Sequence, residues 1–144
     1  MKKEIWLDMD GTIADLYGVE NWLEYIKAED EKPYKIAKPL VNMKKLAEEL
    51  NRLQKQGWTI GIITWLAKNG KPEYNNRVAR VKLNWLEEHL NGFQFDIVHI
   101  VEYGTPKQEL GRGILFDDEI QNRKNWKDKA YDEKNILETL GAIA

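Results

Sequence analysis

Cysteine is absent from this chain, which removes disulfide frameworks, thiol nucleophiles and cysteine zinc sites from the chemistry it can perform. With two histidines there is no zinc spacing either. His99 falls inside an apolar strand run and His89 near a helix end, so both read as structural. No apolar run approaches membrane-spanning length, and Met1-Lys2-Lys3-Glu4 leads straight into a short strand with no long apolar leader, so a soluble, cytoplasmic protein that does not engage membranes is expected. Excess charge of one sign is missing too. The 22 basic and 24 acidic residues are evenly mixed and sum to −2, which leaves no broad footprint for duplex nucleic acid and no expectation of a stable nucleic-acid complex. Neither a G-x-S-x-G elbow nor a Walker-type glycine loop appears, which argues against esterase and nucleotide-driven motor chemistry. There is no internal repeat and no low-complexity segment. At 144 residues a single domain, 1–144, can bury its own core; its oligomeric state is left open.

What the sequence does have is acid at the ends of apolar runs. Asp8-Met9-Asp10-Gly11-Thr12 follows Ile5-Trp6-Leu7, and Asp117-Asp118 follows Gly113-Ile114-Leu115-Phe116. Side chains two apart on an extended segment share a face, so Asp8 and Asp10 can enter one crevice while Gly11 turns the chain. Neighbouring carboxylates repel unless they share a proton or a cation, which implies a bound metal or a divided acid/base role. Taken alone, Asp-x-Asp-Gly is also an ordinary turn after a strand. Two further polar groups sit where strands end: Thr64 after Gly61-Ile62-Ile63, and Lys107 shortly after the run Ile97 to Val101. In an open parallel sheet the C-terminal strand ends share a crevice, so all four places can converge.

The remaining pattern predicts such a sheet. Ile5 to Leu7 and Trp58 to Ile63 are too apolar for a sheet with one wet face. Leu40, Met43, Leu46, Leu50 and Leu53 recur at helical spacing, with Pro39 near the start and Gly57 past the end. A second helix is expected over about Asn75 to Leu90, with Val78, Val81, Trp85, Leu86 and Leu90 as its apolar side and Asn91-Gly92 as its stop. Then come a strand Asp96 to Val101, a loop with room for one helical turn over Gly104 to Leu110, a strand Gly113 to Phe116, an edge strand at Ala130-Tyr131 and a closing helix Glu133 to Leu140. Strands alternating with helices predict an α/β, three-layer Rossmann-like fold with a mostly parallel sheet. Asp15 reads as a helix N-cap. The segment from about 16 to 38 does not fit the alternation and is either a small cap over the site or a surface helix and loop.

In these four motifs and their order the chain resembles the haloacid dehalogenase superfamily of phosphotransferases, over positions 8 to 118. The resemblance implies a magnesium-dependent phosphomonoesterase that works through an aspartyl-phosphate. Asp8 would be the nucleophile and Asp10 the general acid and base. Magnesium (Mg2+) would be held by Asp8, Asp117 and the Asp10 backbone carbonyl, with Asp118 as a further ligand or as an orienter. Thr64 and Lys107 would bind the phosphoryl group, Lys107 also keeping Asp8 ionised. Within the superfamily the chain is most similar to the 5′(3′)-deoxyribonucleotidase group, which implies a small phosphorylated substrate such as a nucleotide. Lys68 matches that group's phosphate-holding lysine; Trp65 departs from its small residue and either stacks on a base or packs the strand end. Two alternatives stand beside this reading. A 3′-phosphatase on nucleic-acid ends would use the cluster Lys68, Lys71, Arg77 and Arg80 to track a strand, and a non-catalytic binding protein would keep only the fold and the anion pocket.

Overall fold

The computed structural model describes residues 1–144. From the N-terminus its elements are β1 (Glu4–Leu7), β2 (Ala14–Asp15), α1 (Trp22–Lys27), α2 (Lys32–Ile36), β3 (Lys38–Pro39), α3 (Met43–Lys55) and β4 (Thr59–Trp65). They continue with α4 (Pro72–His89), β5 (Ile97–Val101), a 3-10 turn at Lys107–Glu109, β6 (Ile114–Phe116), α5 (Ile120–Asn125), β7 (Lys129–Tyr131) and α6 (Ile136–Gly141). Five strands form one parallel sheet in the order β5-β4-β1-β6-β7, with β1 at its centre.

Alternation along the strands divides the core into two layers. Ile5, Leu7, Ile60, Ile62, Ile114 and Phe116 face the side covered by Leu46, Leu50 and Leu53 of α3, Trp85 and Leu86 of α4, and Ile136 and Leu140 of α6. On the other face Trp6, Ile63 and Leu115 pack with Trp126, which ends α5. The result is the α/β, three-layer Rossmann-like arrangement that the apolar runs imply. Each fully buried leucine of α3 contributes about 1.5–3 kcal/mol, so this amphipathic helix alone is a substantial anchor. Both histidines are absorbed by packing: His99 stacks on Trp6 with ring centroids 5.6 Å apart, and His89 lies 4.4 Å from Trp85.

Several boundaries differ from those the sequence suggests. Strand β4 runs on to Trp65, so Thr64 lies inside the strand rather than at its end. Helix α3 starts at Met43, because Asn42 caps it by accepting the Lys45 N–H. Leu40 and Pro39 are outside the helix: Pro39 pairs with Ala14, and the Leu40 N–H donates to the Ile13 carbonyl, which commits that backbone to a small sheet. Pro72, whose ring presets φ for a first helical turn, opens α4 three residues before Asn75. Asp15 is not a helix cap; it belongs to β2, and its carboxylate accepts the Gly18 N–H in a local turn. Helix α5 has no counterpart in the expected elements, since Ile-Gln-Asn-Arg-Lys-Asn has no apolar period. The closing helix begins at Ile136 rather than Glu133.

The 16–38 segment leaves the main sheet and returns to it through the antiparallel pair β2–β3. Between them, α1 and α2 build a second apolar cluster, in which Leu16 and Tyr34 pack on Ala67, Tyr74 and Val78 around the start of α4, with Trp22 and Ile26 against it.

Candidate active site

Strand register brings the two acidic pairs together. Leu7 is opposite Phe116 on the neighbouring strand, so the next residues, Asp8 and Asp117, emerge side by side. Their backbones stay in the ladder: the Asp8 N–H donates to the Phe116 carbonyl at 2.9 Å and the Asp117 N–H to the Tyr131 carbonyl at 3.0 Å. Beyond Asp8 the chain doubles back, with the Met9 carbonyl accepting from the Thr12, Ile13 and Ala14 N–H groups. Gly11 makes this possible at φ 81°, a left-handed conformation that strains other residues. A Cβ at Gly11 would also collide with the Asp118 carboxylate and the Tyr17 ring. The turn carries Thr12 under the acids. Its hydroxyl accepts the Asp118 N–H at 3.1 Å and lies 2.9 Å from Asp8 Oδ2 and 3.2 Å from Asp118 Oδ1, to either of which it can donate.

Carboxylate oxygens of Asp8, Asp117 and Asp118 lie within 4.8 Å of one another. One fixed cation partly offsets them. Lys107 Nζ donates to Asp8 Oδ1 at 2.9 Å and to Asp117 Oδ2 at 2.7 Å, and the side chain is 2% exposed. It arrives there because Gly104 turns the chain after β5, the Thr105 N–H and hydroxyl both bond the Glu102 carbonyl, and Pro106 opens the 3-10 turn. Asp117 is anchored further by the Glu119 N–H on Oδ1 and by Asn122 Nδ2 on Oδ2. Burial works against the Lys107 ammonium, but the charges of Asp8 and Asp117 prevail and hold its pKa above the usual lysine value. Burial and then the Asp8 charge push the Asp117 carboxyl up to about 6 and that of Asp118 up to about 8. Hard oxygen donors gathered this closely, with protons forced onto them, are a set that suits magnesium.

Asp10 stands apart from that triad. Its Oδ2 accepts from Lys82 Nζ at 2.7 Å, and Oδ1 has no hydrogen bond to the protein. The Asp10 carboxylate is thus committed to an ion pair, and Asp8, Asp117 and Asp118 are the side-chain oxygen donors that the fold gathers. Burial pushes the Asp10 carboxyl above the ordinary range, against the pull of Lys82. Thr64 is wholly buried, outside the lining of the cleft, and its hydroxyl accepts from the same Lys82 ammonium at 2.7 Å. Lys82, Thr12 and Asn122 are the site residues that motif reasoning missed. For Lys82 a signal existed: it lies four residues after Val78 and three before Trp85, a lysine in the apolar stripe of α4.

Asp8, Asp10, Lys107, Asp117, Asp118 and Asn122 line a cleft of about 540 Å³. Tyr17, Trp22, Tyr34, Tyr74, Trp65 and Tyr103 give it aromatic walls. The Trp65 indole N–H donates to the Thr105 carbonyl at 2.9 Å, Tyr103 packs 4.9 Å away, and the Lys107 ammonium lies 5.4 Å from the ring centre. Trp65 thus braces the loop that delivers Lys107 and also presents part of its ring to the cleft. Lys68, exposed, also lines the cleft, 5.7 Å from the Tyr103 ring centre. The 16–38 segment roofs the cavity and is latched to α4, where Lys71 pairs with Glu29, Arg77 with Glu31 and the Glu29 carbonyl, and the Tyr74 hydroxyl donates to the Asp30 carbonyl. No helix of the protein is long and apolar enough to cross a membrane. Compared with known proteins, the chain matches no family model and no curated sequence.

Proposed function

We propose that this protein is a magnesium-dependent phosphomonoesterase of the haloacid dehalogenase type, acting on a small phosphorylated substrate, in our reading a nucleotide, through an aspartyl-phosphate on Asp8. The observation that carries this reading is the seat of Lys107: one buried ammonium lining the cleft and bonded to Asp8 and Asp117, with Asp118 beside them. A carboxylate nucleophile, a fixed positive charge and two further acids are what phosphoryl transfer asks of a protein. An Asp8 oxygen attacks phosphorus; the bond to the leaving oxygen breaks, and that oxygen keeps the electron pair and takes a proton from Asp10. Asp10, now a carboxylate, removes a proton from water as the water oxygen attacks phosphorus and Asp8 is released. Lys107 has a third ammonium proton free of protein partners to give to the phosphoryl group. Asp8, Asp117 and Asp118 would hold magnesium, which would supply positive charge to offset the phosphoryl oxygens.

A cleft of this volume fits a drug-sized ligand, and its aromatic walls favour a planar group on the substrate. Of the cluster that a phosphatase for nucleic-acid ends would use, Lys71 and Arg77 pair with the cap's Glu29 and Glu31, so the small-substrate reading is preferred. A binding protein without catalysis has no use for Asp8 and Asp10 on separate lysines. A panel of phosphomonoesters assayed with magnesium and with chelator tests the proposal. Turnover of nucleoside monophosphates that chelation abolishes is the expected result, and full activity in chelator would sink the metal-dependent mechanism.

A further inference from the structure

Lys82 has no part in the chemistry proposed so far, although it and Lys107 are the two fully buried cations of the protein. Its side chain is 1% exposed. Nζ donates to Asp10 Oδ2 at 2.7 Å, to the Thr64 hydroxyl at 2.7 Å and to the Trp65 carbonyl at 2.8 Å. The Tyr34 ring from the cap covers it at 5.2 Å. An ammonium has three protons, and all three are used. Lys82 therefore has none to offer a substrate, in contrast to Lys107, and any effect it has on the chemistry passes through its partners. It occupies an apolar helix face where an uncharged side chain would avoid the cost of burying a charge. Retaining a charge there calls for a reason other than packing.

We propose that Lys82 is a positioning residue for the acid/base step: it grips Asp10 by Oδ2 so that Oδ1 faces the leaving oxygen, and it orients the Thr64 hydroxyl. The second effect follows from donor arithmetic. Lysine cannot accept a hydrogen bond, so Thr64 Oγ1 must accept from it, and the hydroxyl hydrogen is turned away from Lys82. The bond to the Trp65 carbonyl pins the strand end that carries Thr64, so one ammonium sets the mutual placement of Asp10 and β4. This role rests on the phosphomonoesterase reading, and its test separates the two.

The test compares Lys82→Met, Asp10→Asn and the double variant on an alkyl phosphate and on an aryl phosphate whose leaving group needs no proton. Lys82→Met should lower kcat on the alkyl ester about 100-fold, within the range of acid/base catalysis, while KM changes little and the aryl ester loses much less. If Lys82 acts through Asp10, the double variant is no slower than Asp10→Asn alone. Equal losses on both esters, or losses that multiply in the double variant, would overturn the proposal. Should Lys82→Met not fold, Lys82→Gln replaces it in the same cycle. Crystal structures of the wild type and of the variant add a readout independent of turnover: the Asp10 carboxylate should leave its wild-type orientation, and an unmoved Asp10 would reject the role. If the wild type hydrolyses nothing in the panel, the phosphatase reading fails, and the Asp10 orientation alone decides the case of Lys82.

Discussion

A single hydroxyl, that of Thr12, holds the Asp118 backbone and bonds the Asp8–Asp118 carboxylate pair from beneath. Replacing it by valine keeps the shape, removes the bonds and leaves a part-buried N–H without its acceptor. Thr12→Val is therefore expected to cost about 1–3 kcal/mol of stability in a denaturant titration, and an unchanged midpoint would show that water replaces the hydroxyl. Asp8 is a different kind of position. Asp8→Asn keeps the volume and can still accept from Lys107, yet an amide oxygen is a poor nucleophile, so turnover should vanish while circular dichroism stays that of the wild type. Substantial residual turnover would remove Asp8 from the nucleophile's place. Gly11→Ala should damage fold and site together, because the added methyl meets Asp118 and Tyr17 at a φ of 81°.

At the level of elements, the parts legible in the sequence are those whose signal is local. The run Ile5 to Leu7 followed by Asp8, and Ile114 to Phe116 followed by Asp117, marks both strands and both acids, because burial on two faces demands apolar residues up to the point where the chain reaches the site. The apolar period of α3 is legible for the same reason. Lys82 was not, since its partners Asp10 and Thr64 are 72 and 18 residues away and only tertiary structure makes a lysine in an apolar stripe into a buried ion pair. Helix α5 lacks any period, and its place is decided by Asn122 bonding Asp117 and by Trp126 filling the thin face of the sheet. The 16–38 segment was undecided between cap and surface loop because what distinguishes them is contact with α4. That contact can be tested. Tyr74→Phe removes the bond to the Asp30 carbonyl and should cost about 1 kcal/mol, with faster proteolytic cleavage between α1 and α2. A cleavage rate equal to that of the wild type would mean that the apolar cluster under Tyr34 holds the cap unaided.

For the whole molecule, the acids gathered at the sheet's C-terminal edge make stability depend on pH and, on the proposed reading, on magnesium as well. Asp117 and Asp118 have carboxyls raised to about 6 and about 8, against about 4 in an unfolded chain. A carboxyl that holds its proton more tightly when folded stabilises the fold fully below the unfolded value and loses that contribution as pH rises through the folded one. Without metal, then, stability should fall between about pH 4 and about pH 8. The raised Lys107 ammonium acts at much higher pH and does not offset this slope. A cation needs these carboxylates ionised, so magnesium competes with the protons and gains most where the protons are already leaving. At a concentration about 100 times its dissociation constant it should stabilise the fold by about 2.7 kcal/mol near pH 8, roughly 5–10 °C in Tm, and by less near pH 5. Thermal scans with magnesium and with chelator at both pH values measure the difference, and Asp118→Asn should flatten the metal-free slope. A magnesium gain that is equal at both pH values, or larger in acid, would show that the ion does not bind at Asp8, Asp117 and Asp118.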